Sequence, residues 1–559
     1  MLIAEVEFRG IQKFLFGSPR LRDMVGANVL LGEMIRRDLP NMAKDHDSIP
    51  IDPVAAGLPK CIADDPLLPI EAIDRDDPAT LYHMGILSRD GGHFRVCMAD
   101  GEPDDTAIAK ANRFLADADA LLRTKAPGLR YDLHLIAVGA NGKTRKLSEN
   151  ACLAAIDETM LVASPYFALC AATGKERAVA KANDGSGEPI SSGIEARRDA
   201  YGKWRNGNAG DIISLMDRWM RDQPGARVHP RDAPSDLLEM CDRDYMAVIY
   251  ADGNNVGNRA KAAADKISVK DRASFLQSEA AFEGFHLRNR VTLRKALAGA
   301  LEMAFGVSPD TAGQSGPRPF QLLMLGGDDL LLVCQAKRAM TFVVELARGL
   351  AMTAADDWEP LTVGVGVAIS APNLPVNRLV ELADDLATSA KRLYRRLDKD
   401  GKPCSVVDWH IETGSWTSDI GMHRRSTELV KYGTEACALI QRPVRILEET
   451  VPDGSPDLPQ LDRLEGLLRA AVALKGSARN KRRSMNNALS NGRRSADFAF
   501  SSLPDDLRKV LRTGIGLHGI WRDAGADLWV TPFRDLVDIV EIEYLGTNRA
   551  DAMAAGSVT

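Results

Sequence analysis

The 559-residue sequence predicts an α+β protein with two ferredoxin-like domains, a helical linker region between them and a helical C-terminal domain. Two observations favour this fold class. From residue 245 onwards the predicted elements follow the order β-α-β-β-α-β, which is the order of a ferredoxin-like split unit. A similar order appears in residues 2–139, without the acidic residues that the second copy carries.

The second unit begins with "YMAVIYADGNNVG" (245–257), a strand that ends at Asp252 and leads into a Gly/Asn loop. A long helical pattern then continues to about residue 305. "FQLLMLGGDDLLLVC" (320–334) contains two short apolar runs joined by residues that include two glycines, which permit the tight turn of a hairpin. The pattern then predicts a helix over 337–353, a strand over 361–369, a helix over 376–397 and a strand over 404–410.

Two aspartates, Asp328 and Asp329, interrupt the apolar hairpin. A lone carboxylate buried among Leu, Val and Met costs several kcal/mol, so both must reach solvent at a turn or bind a cation. In a split unit the first strand lies beside the hairpin, which brings Asp252 close to them. Two Mg²⁺ ions roughly 3.5–4 Å apart would relieve the repulsion of three carboxylates and clamp a nucleoside triphosphate.

The sequence therefore predicts that Asp252, Asp328 and Asp329 are the catalytic and metal-binding residues, with Mg²⁺ or Mn²⁺ as cofactor and a nucleoside triphosphate as substrate. Taken singly, Asp-Gly-Asn and Gly-Gly-Asp-Asp are also ordinary turn sequences. Their joint placement on neighbouring elements favours a metal-nucleotide site over two unrelated turns.

The loop between the first strand and its helix is the candidate triphosphate site, because backbone N–H groups and a helix N-terminus bind phosphate. A lysine on the later helix, in "ELADDLATSAK", can reach the same phosphates, although most helix lysines are merely solvated. The predicted nucleotide-binding residues are Gly253, Asn254, Asn255, Gly257, Gly326, Gly327 and Lys391.

The first copy is predicted to be degenerate. "LYHMGILSRDGGHFRVCM" (81–98) is predicted to be a hairpin with Gly91 and Gly92 at its tip, followed by a helix over 106–125. The positions of the two hairpin aspartates are occupied by His93 and Phe94, and Glu7 stands near the end of the first strand. We therefore expect no metal cluster in this copy.

At these residues the sequence resembles a known family. "YADGNNVG", "LGGDDLLLV" and "ELADDLATSAK", in that order, resemble the catalytic palm of the large polymerase-like subunit of type III CRISPR effector complexes, which is related to the GGDEF nucleotidyl cyclases. "GIQKFLF…LRDMVGANVLL" resembles the family's first palm domain. The resemblance implies synthesis of cyclic oligoadenylate from ATP in antiviral defence, with the Gly-Gly-Asp-Asp hairpin holding the metals.

Three departures from the family pattern narrow these expectations. The first palm begins at residue 2, which predicts a form without the HD nuclease domain, and His46-Asp47 is expected to be an exposed loop dipeptide. No DNA cleavage is therefore expected. A zinc site is not expected either, because Thr173 stands where the second thiol of a Cys-x-x-Cys pair with Cys170 would fall. Asn254 replaces a second loop aspartate that many members carry.

The predicted domains are a degenerate first palm (1–145), a linker region with a degraded zinc-knuckle-like segment (146–240), the catalytic palm (241–415) and a helical C-terminal domain (416–559). Residues 474–495 carry seven Lys or Arg and no acidic residue. Such a run is either a solvated helix face or a surface that follows an RNA backbone. RNA and other effector-complex subunits are thus candidate partners.

Composition excludes several classes of protein. The formal net charge of −6 gives no bulk attraction to nucleic acid or to a membrane. The eight cysteines lack zinc-ligand spacing and are expected to be reduced core thiols. Reduced thiols favour the cytoplasm. Because no apolar stretch approaches 18 residues, we also expect no contact with a membrane.

Two functions remain open from sequence. The first is a nucleotidyltransferase that makes a cyclic or linear oligonucleotide signal, and the second is a non-catalytic palm-fold scaffold of an RNA-guided ribonucleoprotein. The three retained aspartates favour the first, because a scaffold has no need of three mutually repelling carboxylates. No motif indicates the nucleobase, the ring size of the product or the activating trigger.

Overall fold

The protein is described here by a computed structural model. The structure describes residues 1–58, 78–89, 92–151, 167–206, 216, 234, 236–241, 244–306, 318–352, 359–412, 419–432, 435–449, 458–474 and 479–544. Gly91, Cys61, Cys152 and the C-terminal segment after residue 544 lie outside these ranges, and so do the predictions made for them.

The first unit contains a five-stranded sheet with helices on it. Its elements are β1 (Leu2–Arg9), α1 (Ile11–Leu15), α2 (Leu21–Glu33), a π-helical turn (Met34–Asp38), α3 (Leu39–Asp45), α4 (Pro78–His83), β2 (Ile86–Ser88), β3 (His93–Ala99), α5 (Asp105–Lys125), β4 (Arg130–Val138) and β5 (Thr144–Ala151). The strand order is β2-β3-β1-β4-β5, and β1 runs antiparallel to both β3 and β4. Without its last strand, this is the ferredoxin-like order that the sequence predicts. Residues 81–83 are helical, however, and do not belong to the hairpin.

The connection between the two units contains β6 (Ala180–Lys181), β7 (Pro189–Ile190), α6 (Ser192–Arg205) and α7 (Leu237–Met240). Helix α6 begins at Ser191, whose side chain accepts a hydrogen bond from the Ile194 N–H. It packs on α2 so closely that a Cβ at Gly26 would lie 1.9 Å from the Arg197 carbonyl oxygen. Helix α6 ends at Arg205.

The second unit contains the elements in the order that the sequence predicts. They are β8 (Met246–Gly253), α8 (Val256–Asp265), α9 (Arg272–Phe305), β9 (Phe320–Leu325), β10 (Asp329–Gln335), α10 (Ala336–Ala351), β11 (Val363–Ser370), α11 (Val376–Lys399) and β12 (Val406–Glu412).

The C-terminal part is mostly helical but also holds a small sheet that the sequence analysis missed. Its elements are α12 (Ile420–Thr427), β13 (Leu429–Tyr432), β14 (Glu435–Ala438), β15 (Val444–Arg445), α13 (Leu464–Leu474), α14 (Arg479–Ser490), α15 (Arg493–Ser501), α16 (Asp505–Lys509), a π-helical turn (Val510–Gly514), β16 (Arg522–Asp523), β17 (Leu528–Val530) and α17 (Phe533–Tyr544). The small sheet has the order β13-β14-β17-β16.

The sheet of the second unit has the order β15-β12-β11-β8-β10-β9, with β8 between β11 and β10. Strand β8 is antiparallel to both neighbours, as in the split unit, and β12 and β15 extend the sheet beyond it. The α+β class and the two ferredoxin-like sheets are therefore confirmed. The predicted domain boundaries stay predictions.

The second sheet is buried on both faces. Ala247, Ile249 and Ala251 of β8 face a core shared with α9, α10 and the C-terminal helices. Met246, Val248 and Tyr250 alternate with them and face a core shared with the first unit. This second core holds the two units together and places the hairpin of the second unit beside the helices of the first.

Two expectations about single residues are resolved by packing. His46 is not an exposed loop residue: its side chain is 15% exposed, contacts the edge of Phe114 and lies 2.9 Å from an Asp117 carboxylate oxygen. The described cysteines are free thiols, and all but the half-buried Cys404 are buried. No described helix combines the length and apolar character that a membrane crossing needs.

Candidate active site

The structure brings together the three aspartates that the sequence singles out. Asp252 lies at the end of β8 and is the register partner of Asp329, the first residue of β10. Asp328 precedes it in the hairpin turn. One carboxylate oxygen from each of the three residues lies within 4.8 Å of the others. Their role in binding metal stays a prediction.

The local sequence explains this convergence. The Gly326 N–H donates to the Asp329 carbonyl at 2.8 Å and closes the hairpin turn, while the Gly253 N–H donates to the Asp328 carbonyl at 3.2 Å. A Cβ at Gly253 would lie 2.8 Å from the Asp328 Cβ and 2.6 Å from the Val256 Cγ2. Only glycine therefore lets the strand end approach the hairpin so closely.

The cluster carries more negative charge than its surroundings offset. Burial and the Asp252 charge, opposed by Lys391, together raise the pKa of Asp328 to about 6. Burial, followed by the charges of Asp252 and Asp328, raises the pKa of Asp329 well above its usual range. Half-buried carboxylates that repel each other in this way favour a bound cation.

Lys391 of α11 lies inside the cluster. Its ammonium contacts the Asp252 carboxylate and donates to the Gly253 carbonyl at 3.0 Å. Gly364, the partner of Asp252 in β11, makes room for it, because a Cβ there would lie 2.6 Å from the Lys391 Cγ. The predicted contact of Lys391 with phosphate would require this ammonium to leave Asp252.

Tyr250 and Gln12 belong to the site and were missed by the sequence analysis. The Tyr250 hydroxyl donates to Asp329 Oδ1 at 3.4 Å and accepts from Gln12 Nε2 at 3.1 Å. Burial and the nearby aspartates raise the pKa of Tyr250, so the phenol stays neutral and can donate. Tyr250 was detectable in principle, since residues two apart on a strand share a face. Gln12 comes from the first unit and has no such signal.

The loop after β8 has two kinds of residue. Asn254 is 1% exposed, and its amide donates to Thr362 Oγ1 at 3.1 Å, so its side chain anchors the loop to the residue that precedes β11. Asn255 has a left-handed backbone and precedes α8 without giving a side-chain cap. The first N–H groups of α8, including that of the exposed Gly257, thus remain available to a phosphate.

Asp328 and Asp329 line a cavity of about 570 Å³ between the two units. The second unit contributes the hairpin and Gly257, and the first contributes Gln12, Gly92 and His93. Four buried arginines also line the cavity and were not predicted, since two lie in the first unit and two lie inside a long helix. They are Arg36, Arg89, Arg290 and Arg294. Arginines at this depth suit an anionic ligand such as a triphosphate.

The first unit does contain an acidic cluster, which corrects one expectation. Ligand atoms of Glu7, Asp132 and His134 lie within 4.8 Å of one another. Arg9 neutralises this group, because it donates to Asp132 at 2.8 Å and to Glu7 at 3.0 Å. Glu7 is the register partner of His93, just as Asp252 is that of Asp329.

The basic run does not form one continuous basic face. Arg479 pairs with Glu541, and Arg482 is buried. Arg493 lies over the Trp529 ring at 3.4 Å. Lys475 falls outside the described residues. The exposed members among the described residues are Arg479, Lys481, Arg483 and Arg494.

Comparisons with known proteins were made for the whole chain. A family model described as the second palm domain of Cas10/Cmr2 matches residues 245–399. Solved structures of a Csm1–Csm4 cassette with pppApApA and with cA4 match at 12% identity with TM-scores of 0.42 and 0.41, each covering 97% of this chain and 69% of the other. A cassette with one ATP matches at 14% identity with a TM-score of 0.35, over 70% of this chain and 53% of the other. A search of curated proteins found no match.

Proposed function

We propose that this chain, whose residues 245–399 are a Cas10/Cmr2-type second palm domain, is a nucleotidyltransferase that converts ATP to a cyclic or linear oligonucleotide second messenger in CRISPR-type antiviral defence. One observation carries the proposal. Oxygens of Asp252, Asp328 and Asp329 lie within 4.8 Å of one another, and Asp328 and Asp329 line a cavity that arginines also line. Carboxylates for cations and arginines for phosphates are the two requirements of nucleotidyl transfer.

The donor set suits Mg²⁺ or Mn²⁺. Three carboxylates face one ammonium, that of Lys391, and burial together with the neighbouring carboxylate charges raises the pKa of Asp328 and of Asp329. Hard oxygen ligands of this kind are those that Mg²⁺ prefers. The bound ion would supply neutralisation of phosphate charge and a lower pKa for the attacking hydroxyl.

The remaining chemistry belongs to the chain's own residues. The N–H groups at the start of α8 and the cavity arginines bind the triphosphate and orient it. Gly257, Gly326 and Gly327 let the backbone approach the phosphates without an intervening Cβ. The ribose hydroxyl oxygen of one nucleotide then forms a bond to the α-phosphorus of the next, and the bond to pyrophosphate breaks. Tyr250 holds Asp329 in place throughout.

The test is a product survey. Purified protein is incubated with Mg²⁺ or Mn²⁺ and each nucleoside triphosphate in turn, and the products are analysed by mass spectrometry. We expect a phosphodiester-linked adenylate product together with pyrophosphate. ATP binding without any product would favour the scaffold function instead, and absence of both would contradict the proposal.

RNA and other effector-complex subunits are the proposed partners. The exposed charges of the basic run, Lys481 and Arg494, are available to RNA phosphates. Replacing both with Glu should weaken RNA binding and reduce its dependence on salt. RNA affinity that is absent, or unchanged by the replacement, would indicate control by protein contacts.

A further inference from the structure

A second cavity, of about 560 Å³, lies between β12 and the C-terminal helices. Tyr245, which precedes β8, lines it, whereas Asp252 lies at the other end of the same strand. Six residue steps separate Met246 from Asp252, which is roughly 20 Å at about 3.3 Å per residue. No residue that lines this cavity also lines the cavity of the aspartates. The two are therefore separate sites.

The carboxylates of this cavity are already engaged by arginines. Arg442 donates to Asp538 at 2.5 Å and to Glu428 at 3.2 Å. Arg479 donates to Glu541 at 2.6 Å. Within these ion pairs the positive and negative charges offset each other, so the paired groups attract a charged ligand only weakly.

Two further arginines line the cavity without an ion pair to any carboxylate of the described ranges. Arg483 is exposed, and Arg534 is half-buried. Arg534 donates only to neutral oxygens: Asn486 Oδ1 at 3.3 Å, the Thr427 carbonyl at 3.3 Å and Ser490 Oγ at 3.5 Å. Long contacts to neutral groups are readily exchanged for a phosphate, which binds guanidinium more strongly.

A buried imidazole adds a second, independent observation. His410 lines the cavity and is 6% exposed, and its Nδ1 has no hydrogen-bond partner among the described residues. Its ring meets the His423 ring edge-on at 5.2 Å. Burial, aided by Arg442, lowers the pKa of His410 to about 3, so the ring is neutral at physiological pH. A neutral ring nitrogen left unpaired is costly, and a hydroxyl or amine of a ligand would satisfy it.

We propose that this cavity is a nucleotide-binding site, with the phosphate on Arg483 and Arg534 and the sugar or base against His410 and His423. The volume is in the range of small-molecule sites. The cavity combines two imidazole rings, the Asn486 amide and the Thr427 hydroxyl with two arginines that form no ion pair with a described carboxylate. This combination matches the parts of a nucleotide better than those of an inorganic anion. The ligand is a 5′-phosphorylated nucleotide, either free or at the end of an oligonucleotide.

The test is calorimetric titration of the full chain in EDTA with AMP, with 5′-phosphorylated triadenylate and with inorganic phosphate. EDTA removes the divalent cation proposed for the aspartate cluster, and variants of Arg483 and Arg534 separate this cavity from the one beside that cluster, which they do not line. We expect EDTA-resistant binding of AMP or triadenylate that Arg534→Ala weakens about ten-fold and the exposed Arg483→Ala weakens severalfold. Arg512→Ala is the control, since Arg512 is an exposed arginine of the C-terminal part that does not line the cavity.

The tighter of the two adenylate probes identifies the source of the ligand. Tighter AMP binding assigns a free mononucleotide, and tighter triadenylate binding assigns an oligonucleotide end. His410→Gln should lower the affinity for the better probe while Arg512→Ala leaves it intact. Phosphate binding as tight as AMP, no binding of any probe, or equal affinity in wild type and both arginine variants would overturn the proposal.

Discussion

Replacing Asp328 with Asn should stabilise the metal-free protein while removing its proposed activity. Burial and the Asp252 charge make the ionised Asp328 unfavourable in the folded state, which is why its pKa rises to about 6. Asparagine is nearly isosteric and carries no charge, so the repulsion disappears. Function and stability are thus opposed at this residue.

The sign and size follow from linkage between protonation and folding. The folded-state pKa is raised from its ordinary 3.8 to about 6, so the penalty is absent below pH 3.8, grows between these values and is complete above pH 6. That difference corresponds to about 3 kcal/mol at most. Because the side chain is only half-buried, solvent screening reduces it to about 1–2 kcal/mol.

Thermal unfolding in EDTA at pH 4 and pH 7.5 measures the effect. A folding unit of 150–250 residues shifts by about 2–4 °C for each kcal/mol, so Asp328→Asn should raise the midpoint at pH 7.5 by about 2–8 °C. The gain should vanish at pH 4. Asp265→Asn, at the exposed end of α8, is the control and should change little at either pH.

Mg²⁺ should reduce the difference between the two unfolding midpoints at pH 7.5, because it stabilises the wild-type protein more than the variant. A lower midpoint for Asp328→Asn at pH 7.5 would refute the electrostatic reasoning. An equal gain at pH 4 would show that the benefit does not come from the charge.

Lys391→Ala should weaken binding of a non-hydrolysable ATP analogue with Mg²⁺ by ten- to a hundred-fold, because one charge-assisted contact is worth roughly 1.5–3 kcal/mol. Calorimetric titration measures this affinity. An unchanged affinity would place the triphosphate elsewhere. Gly257→Val should weaken the same binding without unfolding, since a Cβ there meets nothing within 4 Å in the free protein. Gly364→Ala should displace Lys391 and reproduce much of the Lys391→Ala loss, and full affinity in this variant would show that Lys391 tolerates the methyl group. Tyr250→Phe should lower the turnover number by roughly three- to ten-fold with folding intact, as expected for one neutral hydrogen bond; a normal turnover number would remove Tyr250 from the site.

Sequence alone predicts the second unit well, for a physical reason. The periodicity of apolar residues in long strands and helices shows where each element lies along the sequence. For example, the strand predicted to end at Asp252 is observed over Met246–Gly253. The split-unit order then fixes which strands are neighbours. That order was enough to bring Asp252 beside Asp328 and Asp329.

The residues that sequence reasoning missed depend on tertiary packing. Strands as short as Arg522–Asp523 carry no usable periodicity, which hid the small C-terminal sheet. The proximity of Asp132 and His134 to Glu7 follows from the register between β1 and β4, which the sequence does not give. In the sequence, Arg290 and Arg294 look like ordinary residues of a long helix. That they line a cavity between the two units depends on how the units pack.

The central claim is that the hairpin carboxylates carry nucleotidyl transfer. Pyrophosphate release from ATP and Mg²⁺ should be measured for wild type, Asp328→Ala and Asp329→Ala, with thermal unfolding to verify that each variant is folded. We expect the wild-type protein to release pyrophosphate. Both variants should release it at least about a hundred-fold more slowly, since each lacks one carboxylate of the proposed metal site. Wild-type turnover in either folded variant would contradict the claim.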